Sequence, residues 1–219
     1  MIGKILDSIK NVGLEVSNIG DVRSGRKFNR FTAPYKPKWN IDSVEPTVIV
    51  ELANQEPGFP IEKKEVQTFI GEYLAKIGRD DLVEQFDLQP FEVNVQTLDR
   101  TFIDKVFALC DYYLEGKTEK HSRHVYDLNQ IIRYVEFDDS LLELLDKVRS
   151  IRAESPVCPS AKEGMKLGKI FSEIVNKEIY KDDYNKTTYP LLYDKVDYEE
   201  CEVSLALISS LSTLSYSNG

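Results

Sequence analysis

The stretch RTFIDKVFALCDYYLEGKTEKHSRHVYDLNQII, residues 100–132, carries a helical hydrophobic pattern on both sides of a charged turn. Its apolar side chains recur at intervals of three and four residues, a spacing typical of amphipathic helices. The pattern predicts one helix over 98–115 and another over 122–136. Four ions lie at the borders of the apolar faces instead of opposite them: Arg100, Lys105, Arg123 and Asp127. They form either a solvated rim or part of a site.

Spacing alone supports a purely structural interpretation of these ions. Lys105 would pack its stem and extend its amine to water, Arg123 and Asp127 would form an i,i+4 pair, and Arg100 would pair with Asp104. Such boundary ions are common on amphipathic helices, and exposed pairs contribute little to stability. The pattern by itself therefore does not establish a function.

The composition is that of an ordinary soluble globular protein. The 219 residues include 37 acidic and 28 basic ones, which gives a net charge of −9. This balance argues against a broad nucleic-acid surface that works by phosphate neutralisation, although it leaves room for a local basic pocket. The apolar runs are too short for a membrane helix, the first residues lack a signal-peptide pattern, and the three cysteines lack a CxxC spacing. We expect a cytoplasmic protein with free thiols and no membrane partner.

The hydrophobic periods change along the chain. Upstream of residue 97 they predict helices over 2–14 and from Pro60 to Gly78, and strands over 25–35, 46–52 and 91–96. Downstream they predict only helices, at 98–115, 122–136, 140–152, 161–181 and 198–215. Thr97 is placed to cap the first of these helices, and Ser140 with Glu143 forms a capping-box pattern.

The predicted fold class is α+β. A small mixed sheet with helices would occupy residues 1–96, and an all-helical domain would occupy residues 97–219. His121 and His124 lie three residues apart, but no Cys or acidic residue stands at a matching spacing, so we assign no metal to them.

Two motifs in the quoted stretch resemble a known family. RTFIDKVFAL (100–109) followed by SRHVYDL (122–128) resembles the R-T-F-x-x-K and R-H-x-x-D-L signatures of the AbiEii/AbiGii toxin-like nucleotidyltransferases of abortive-infection and toxin–antitoxin systems. TVIVELANQEPGFPI (47–61) is similar to the family's strand that carries its third acidic residue, and FEVNVQTLDRTF (91–102) to its entry into the helical half.

The resemblance implies a Mg²⁺-dependent transfer of a nucleotide from a nucleoside triphosphate to an acceptor such as tRNA, and an antitoxin protein as partner. In that scheme Glu51 would be a metal-side carboxylate, Lys105 a phosphate contact, and Asp127 an acid near the acceptor or Lys105. Arg100 and Arg123 would orient phosphates or brace the acids. We expect the Lys105 amine and the Asp127 carboxylate to face one cleft onto which Glu51 also opens.

The sequence departs from the family at its first motif, a Gly-Gly or Gly-Ser turn followed on a strand by a D-x-D pair. Neither RSGRKF (23–28) nor KIGRDDL (76–82) has the required turn and spacing. Because one carboxylate holds Mg²⁺ only loosely, we expect the chain to be a truncated or impaired member that is inactive alone. Two alternatives remain open: a non-catalytic helical interaction protein that binds an antitoxin-like partner or RNA, and a plain helical domain without a site.

Overall fold

Helices and short antiparallel strands make up the structure, a computed structural model that describes residues 2–23, 28–39, 45–53 and 58–210. The chain folds into two compact units, Met1–Pro57 and Gly58–Gly219. The predicted α+β class is confirmed. In the described ranges, the strands form two separate two-stranded antiparallel sheets instead of one mixed sheet. The predicted domain boundary at residue 96 stays a prediction.

The first unit packs an α-helix against a two-stranded sheet and also contains a 3-10 turn at Ile19–Asp21. It contains α1 (Ile2–Asn11), β1 (Phe28–Pro34) and β2 (Thr47–Ala53). The strands pair in antiparallel register, and Phe31 and Ala33 of β1 are buried against Ile9 of α1. Alternation along β1 places these residues on one face of the sheet. The predicted strands over 25–35 and 46–52 are confirmed where the structure describes them.

The second unit begins with a strand that the sequence pattern did not predict. The segment after Pro60 forms β3 (Ile61–Val66), and the helix expected from Pro60 begins only at Phe69. β3 pairs antiparallel with β4 (Phe91–Gln96), which was predicted with the same bounds. Lys63 and Glu92 contact across the two strands at 2.6 Å. Strand pairing thus outweighs the low strand propensity of the charged sequence IEKKEV.

Two short helices, α2 (Phe69–Lys76) and α3 (Asp80–Gln85), connect β3 to β4. The apolar stripe of α2 is exposed, with Phe69 at 89% and Tyr73 at 61% of full exposure. Instead, α2 is buried at Gly71, where an added Cβ would lie 2.7 Å from the Leu88 carbonyl oxygen. This close backbone approach requires a residue without a side chain.

The rest of the second unit is helical over its described residues. Its α-helices are α4 (Leu98–Leu114), α5 (Arg123–Ile131), α6 (Asp139–Ala153), α7 (Leu167–Asn176), α8 (Lys181–Asp183) and α9 (Tyr198–Ser210). Short turns of other helical types span Ile132–Tyr134, Pro159–Ala161, Tyr184–Thr188 and Tyr189–Leu191. The predicted helices are therefore found, although the one expected over 161–181 covers only Leu167–Asn176, and residues 211–215 of the last lie outside the described ranges.

The ends of two helices test the predicted caps. The Thr97 side chain accepts a hydrogen bond from the Arg100 N–H at 3.4 Å, so the predicted cap of α4 is confirmed. The predicted Ser140–Glu143 box is wrong, because Asp138 caps α6 by accepting from the Leu141 N–H at 3.0 Å. Ser140 instead donates its hydroxyl hydrogen to the Asp138 carboxylate.

The apolar face of α4 supplies the centre of the core of this unit. Phe102, Val106 and Leu109 are almost fully buried, and Leu128 of α5 and Phe171 of α7 pack in the same cluster. The cysteines Cys110, Cys158 and Cys201 are free and buried. Among the described residues, none of the helices is both long and apolar enough to cross a bilayer. The core fixes α4 and α5 side by side, which positions the ions at their borders.

Candidate functional site

Lys105 of α4 and Asp127 of α5 form an ion pair. The Lys105 Nζ lies 2.7 Å from the Asp127 Oδ2, and the two side chains are 25% and 32% exposed. Their backbones are held in place by Val106 and Leu128, which point into the core beside them. Because the pair is partly shielded from water, its electrostatic interaction is stronger than that of a surface pair.

His124 completes this group. Its Nδ1 lies 3.1 Å from the Lys105 Nζ and 3.4 Å from the Asp127 Oδ2, and its side chain is 9% exposed. Burial lowers the pKa of His124 below its ordinary value, and although Asp127 opposes this shift, the charges of Lys105 and Arg123 reinforce it. The imidazole is therefore neutral at pH 7. We call Lys105, His124 and Asp127 the triad.

Asp127 stays ionised in the triad. Burial alone would raise its pKa, but the close contacts with His124 and Lys105 and the positive charge of Lys105 outweigh burial and lower the pKa. A carboxylate and an ammonium therefore face each other in a half-buried position. Such a position suits recognition of a charged or strongly polar ligand.

Parallel aromatic rings flank the triad. The Tyr112 ring on α4 stacks on the His121 ring, and their centroids lie 3.5 Å apart. The Tyr112 ring is also parallel to the His124 ring within 1°, with 6.0 Å between the two centroids. Burial lowers the pKa of His121 as well, and Arg123 and His124 contribute to that shift. Both histidines thus pack against α4.

Arg123 lies at the start of α5 and contacts the backbone instead of Asp127. Its Nη1 donates to the Lys120 carbonyl at 2.9 Å. The i,i+4 pair expected from the structural interpretation is therefore replaced by the contact of Asp127 with Lys105. The Asp127 side chain turns to Lys105 on the neighbouring helix, and His124 of its own helix lies 3.4 Å away.

Asp183 anchors the loop that leads into α5. Its carboxylate accepts from the backbone N–H of Lys120 at 2.8 Å and of Ser122 at 3.0 Å, and from the Thr187 hydroxyl at 3.1 Å. A cleft of about 370 Å³ opens beside this loop, lined by Lys120, Asp183, Lys186 and neighbouring residues of the same two segments. Lys105 and Asp127 do not line it, so the expectation that they face one cleft stays a prediction.

Arg100 braces the start of α4. Its Nε lies 3.1 Å from the Asp104 Oδ2, and its Nη1 donates to the Phe59 carbonyl at 2.8 Å. The guanidinium also lies 4.6 Å from the centre of the Phe59 ring. Its donors thus contact an acid and the chain before β3. The Arg100–Asp104 pair considered from the sequence is present, and the proposed role of Arg100 in the site stays a prediction.

A second ionic group joins α4 to α6. Arg152 donates to Asp104 at 3.3 Å and to Asp111 at 2.9 Å, and Asp111 also accepts from the backbone N–H and the hydroxyl of Ser160. Because Asp111 is only 6% exposed and both of its carboxylate oxygens accept hydrogen bonds, we assign this group a structural role. Sequence reasoning missed it, since its partners come from three separate elements.

Glu51 belongs to the first unit. It stands opposite Arg30 in the β1–β2 register, and its Oε1 lies 3.5 Å from the Arg30 Nε. Both side chains are about half exposed, at 53% and 52%. The expected convergence of Glu51 on Lys105 and Asp127 stays a prediction.

A divalent metal ion such as Mg²⁺ requires several oxygen ligands, among them carboxylates. Within the described ranges, no three His, Cys, Asp or Glu side chains stand close enough together to hold a metal ion. Glu51 has Arg30 as its neighbour, and the triad contains a lysine ammonium, which repels a cation. These residues do not fit a magnesium site as they stand.

His124 is the site residue to which the sequence analysis gave no role. It is part of the R-H-x-x-D-L motif, and its i,i+3 spacing to Asp127 places both on one helical face. That spacing was the available signal. Its contact with Lys105 was not predictable, because it depends on the packing of α4 against α5.

The chain was compared with known proteins. A family model described as "Nucleotidyl transferase AbiEii toxin, Type IV TA system" matches residues 2–203. Searches of curated proteins and of solved structures found no significant match. The family match covers most of the 219 residues and includes both motifs of α4 and α5. The chain therefore belongs to the AbiEii nucleotidyl transferase toxin family of type IV toxin–antitoxin systems.

Proposed function

We propose that the triad is the basic and acidic half of a nucleotidyl-transfer site, in which Lys105 binds the phosphates of a nucleoside triphosphate. The observation that carries this proposal is the 2.7 Å contact between Lys105 and Asp127, which joins the two motifs of the family in one half-buried group. Arg100 and Arg123, the other proposed phosphate contacts, have backbone carbonyls as partners. Lys105 is therefore the cation that we place on the phosphates.

Phosphoryl chemistry explains why a lysine and a carboxylate would stand together. The reacting phosphate carries negative charge in its transition state, and a fixed ammonium in a poorly hydrated position stabilises that charge. Asp127 holds the ammonium in place before a ligand arrives. We propose that an acceptor, such as a tRNA end, approaches on the Asp127 side of the triad.

Nucleotidyltransferases generally use a divalent metal ion, which neutralises phosphate charge and activates the attacking oxygen. The family resemblance implies Mg²⁺ as that ion and Glu51 as one of its carboxylate ligands, but the described residues alone do not complete a magnesium site. Because Glu51 is a single carboxylate beside Arg30, it would hold the ion loosely. We therefore expect the 219-residue polypeptide alone to bind a nucleotide and to transfer it slowly or not at all.

The test is nucleotide binding by the full chain and by two lysine variants. Titration with each labelled nucleoside triphosphate should show affinity in the wild type and a loss of about 10- to 100-fold in Lys105→Met, the worth of one charge-assisted contact. Lys117→Met is the matched control, because Lys117 is 68% exposed and pairs only locally with Glu115. Equal affinity in all three proteins would refute the proposal.

A transfer assay completes the experiment. The same labelled nucleotides are incubated with the chain, Mg²⁺ and total tRNA, and label in the tRNA is measured. We expect little or no transfer by this polypeptide. Rapid transfer by the wild type that disappears in Lys105→Met would support the site at Lys105. It would also show that the expectation of an impaired enzyme is wrong.

The alternative function, a non-catalytic protein that binds an antitoxin-like partner or RNA, has one observation in its favour. The apolar face of α2 is exposed, with Phe69, Ile70, Tyr73 and Ile77 all more than half exposed. This alternative predicts that Phe69→Ser weakens partner capture and that Lys105→Met leaves nucleotide affinity unchanged. The binding experiment therefore separates the two functions.

A further inference from the structure

The hydrogen bonds of His124 determine which of its nitrogens carries a proton. Its Nδ1 is within hydrogen-bonding distance of both the Lys105 Nζ and the Asp127 Oδ2. A lysine ammonium only donates, and a carboxylate only accepts. One ring nitrogen cannot accept from the first and donate to the second at the same time.

The geometry favours acceptance from Lys105. The Lys105 contact is shorter, at 3.1 Å against 3.4 Å for Asp127. If Nδ1 carried the proton, its N–H would face the Lys105 ammonium at 3.1 Å. Both groups are donors, so they would repel each other. In the neutral ring with its proton on Nε2, Nδ1 accepts from the Lys105 ammonium, and Asp127 is left to accept from Lys105 and not from the ring.

We propose that His124 is a positioning residue, which accepts one hydrogen of the Lys105 ammonium at Nδ1 while Asp127 accepts a second, so that the third is left for a ligand phosphate. The phosphate part of this inference rests on the proposed function; the positioning contact itself does not. In this arrangement the lysine is fixed before the ligand binds, and less conformational freedom is lost on binding.

Protonation of His124 would dismantle this arrangement. The protonated ring donates from Nδ1, so it turns to Asp127 and repels the Lys105 ammonium. Burial lowers the pKa of His124, so this change requires a pH below the ordinary histidine range near 6.5. The titratable and charged groups around the ring are Lys105 and Tyr112 from α4, Arg123 and Asp127 from α5, His121 from the preceding loop, and Asp183 at the base of that loop.

The first test reads the tautomer directly in the wild-type chain. The sequence has only two histidines, so a nitrogen-15 spectrum of the rings is simple, and His121→Asn assigns the remaining signals to His124. At pH 7.5 we expect the His124 Nδ1 to resonate as an unprotonated ring nitrogen and the Nε2 as a protonated one. The reverse pattern would overturn the proposal.

The second test follows the Lys105 ammonium, whose nitrogen–hydrogen signal survives only while hydrogen bonds slow its exchange with water. We expect the signal in the wild type and in His124→Asn, because an amide oxygen can replace the acceptor, and its loss in His124→Leu. Lowering the pH should move this signal in the wild type at a pH where it stays in place in His124→Asn, because only the wild type has a ring to protonate. An unchanged signal in His124→Leu, in a variant that unfolds at the same temperature, would refute the positioning role.

Inorganic tripolyphosphate separates this inference from the proposed function. If it shifts the Lys105 signal in the wild type, the third hydrogen is available to a phosphate, as we expect. If the tautomer is as expected but tripolyphosphate leaves Lys105 unchanged, the phosphate role is overturned and the contact with His124 stands. If the tautomer is reversed while Lys105 responds, the phosphate role stands and the positioning role fails.

Discussion

Asp183 is the side chain on which the start of α5 depends, because it accepts from two backbone N–H groups of the Lys120–Ser122 loop. Asp183→Asn should lower the free energy of unfolding by about 1–2 kcal/mol, the usual worth of such a cap. Urea unfolding at pH 7 measures this change. Asp182→Asn is the matched control, because Asp182 is the exposed neighbour. An equal loss of stability in both variants would show that the start of α5 does not depend on Asp183.

The same carboxylate should make stability depend on pH. Burial alone would raise the pKa of Asp183, but hydrogen bonds from Ser122, Lys120 and Thr187 outweigh it, and the folded-state pKa lies below the ordinary value near 3.8. The contribution of Asp183 to the free energy of unfolding is therefore complete above that ordinary value and is lost as the pH falls through the folded-state pKa. Asp183→Asn should therefore lose less stability than the wild type as the pH falls below about 3.8.

Some residues of the site were predictable from the sequence and others were not. Lys105 and Asp127 were singled out by two local signals, the borders of their helical faces and the family motifs. Their contact across helices fits both signals. His124 has only its spacing to Asp127 as a local signal, and Arg152 has none, because its acceptors lie on another helix far away in the sequence.

Gly71 decides how α2 packs. A Cβ there would lie 2.7 Å from the Leu88 carbonyl oxygen, and that backbone atom cannot move away easily. Gly71→Ala should therefore destabilise the protein by about 1–3 kcal/mol, in spite of the better helix propensity of alanine. Chemical unfolding measures the change.

Gly3→Ala provides the control for that prediction. Gly3 lies inside α1, and an added Cβ there meets no atom within 4 Å. The substitution should be neutral or stabilising by up to about 1 kcal/mol, since alanine restricts the unfolded chain. If Gly71→Ala were as harmless as Gly3→Ala, the packing assigned to α2 would be wrong.

The spacing of apolar residues in the sequence predicts most helices and strands, but it does not predict which of them pair or pack together. β4 and α4 follow from alternation and from helical spacing, and both were predicted almost to the residue. β3 was missed because IEKKEV has no alternating apolar pattern and becomes a strand only by pairing with β4. The face of α2 was similarly misleading, because its apolar stripe is exposed and its glycine is buried.

The two units of the molecule have cores of very different size. In the described residues, the buried apolar cluster of the first unit consists of Ile9, Phe31 and Ala33, whereas that of the second extends over α4, α5, α6, α7 and α9. Smaller cores open at lower free energy. Amide hydrogen exchange should therefore be faster in β1 and β2 than in the centre of α4. Equal protection of all three elements would contradict this ordering.

The whole chain carries a net charge of −9, so binding of a polyanion must depend on a local cation and not on the general field. We propose that Lys105 and Asp127 act together as that local site. The most direct measurement is nucleoside triphosphate affinity across a double-mutant cycle of Lys105→Met, Asp127→Asn and the double variant. We predict that the two effects are not additive, with a coupling above roughly 0.5 kcal/mol. Additive effects, or affinity unchanged by Lys105→Met, would show that the two side chains do not form one binding site.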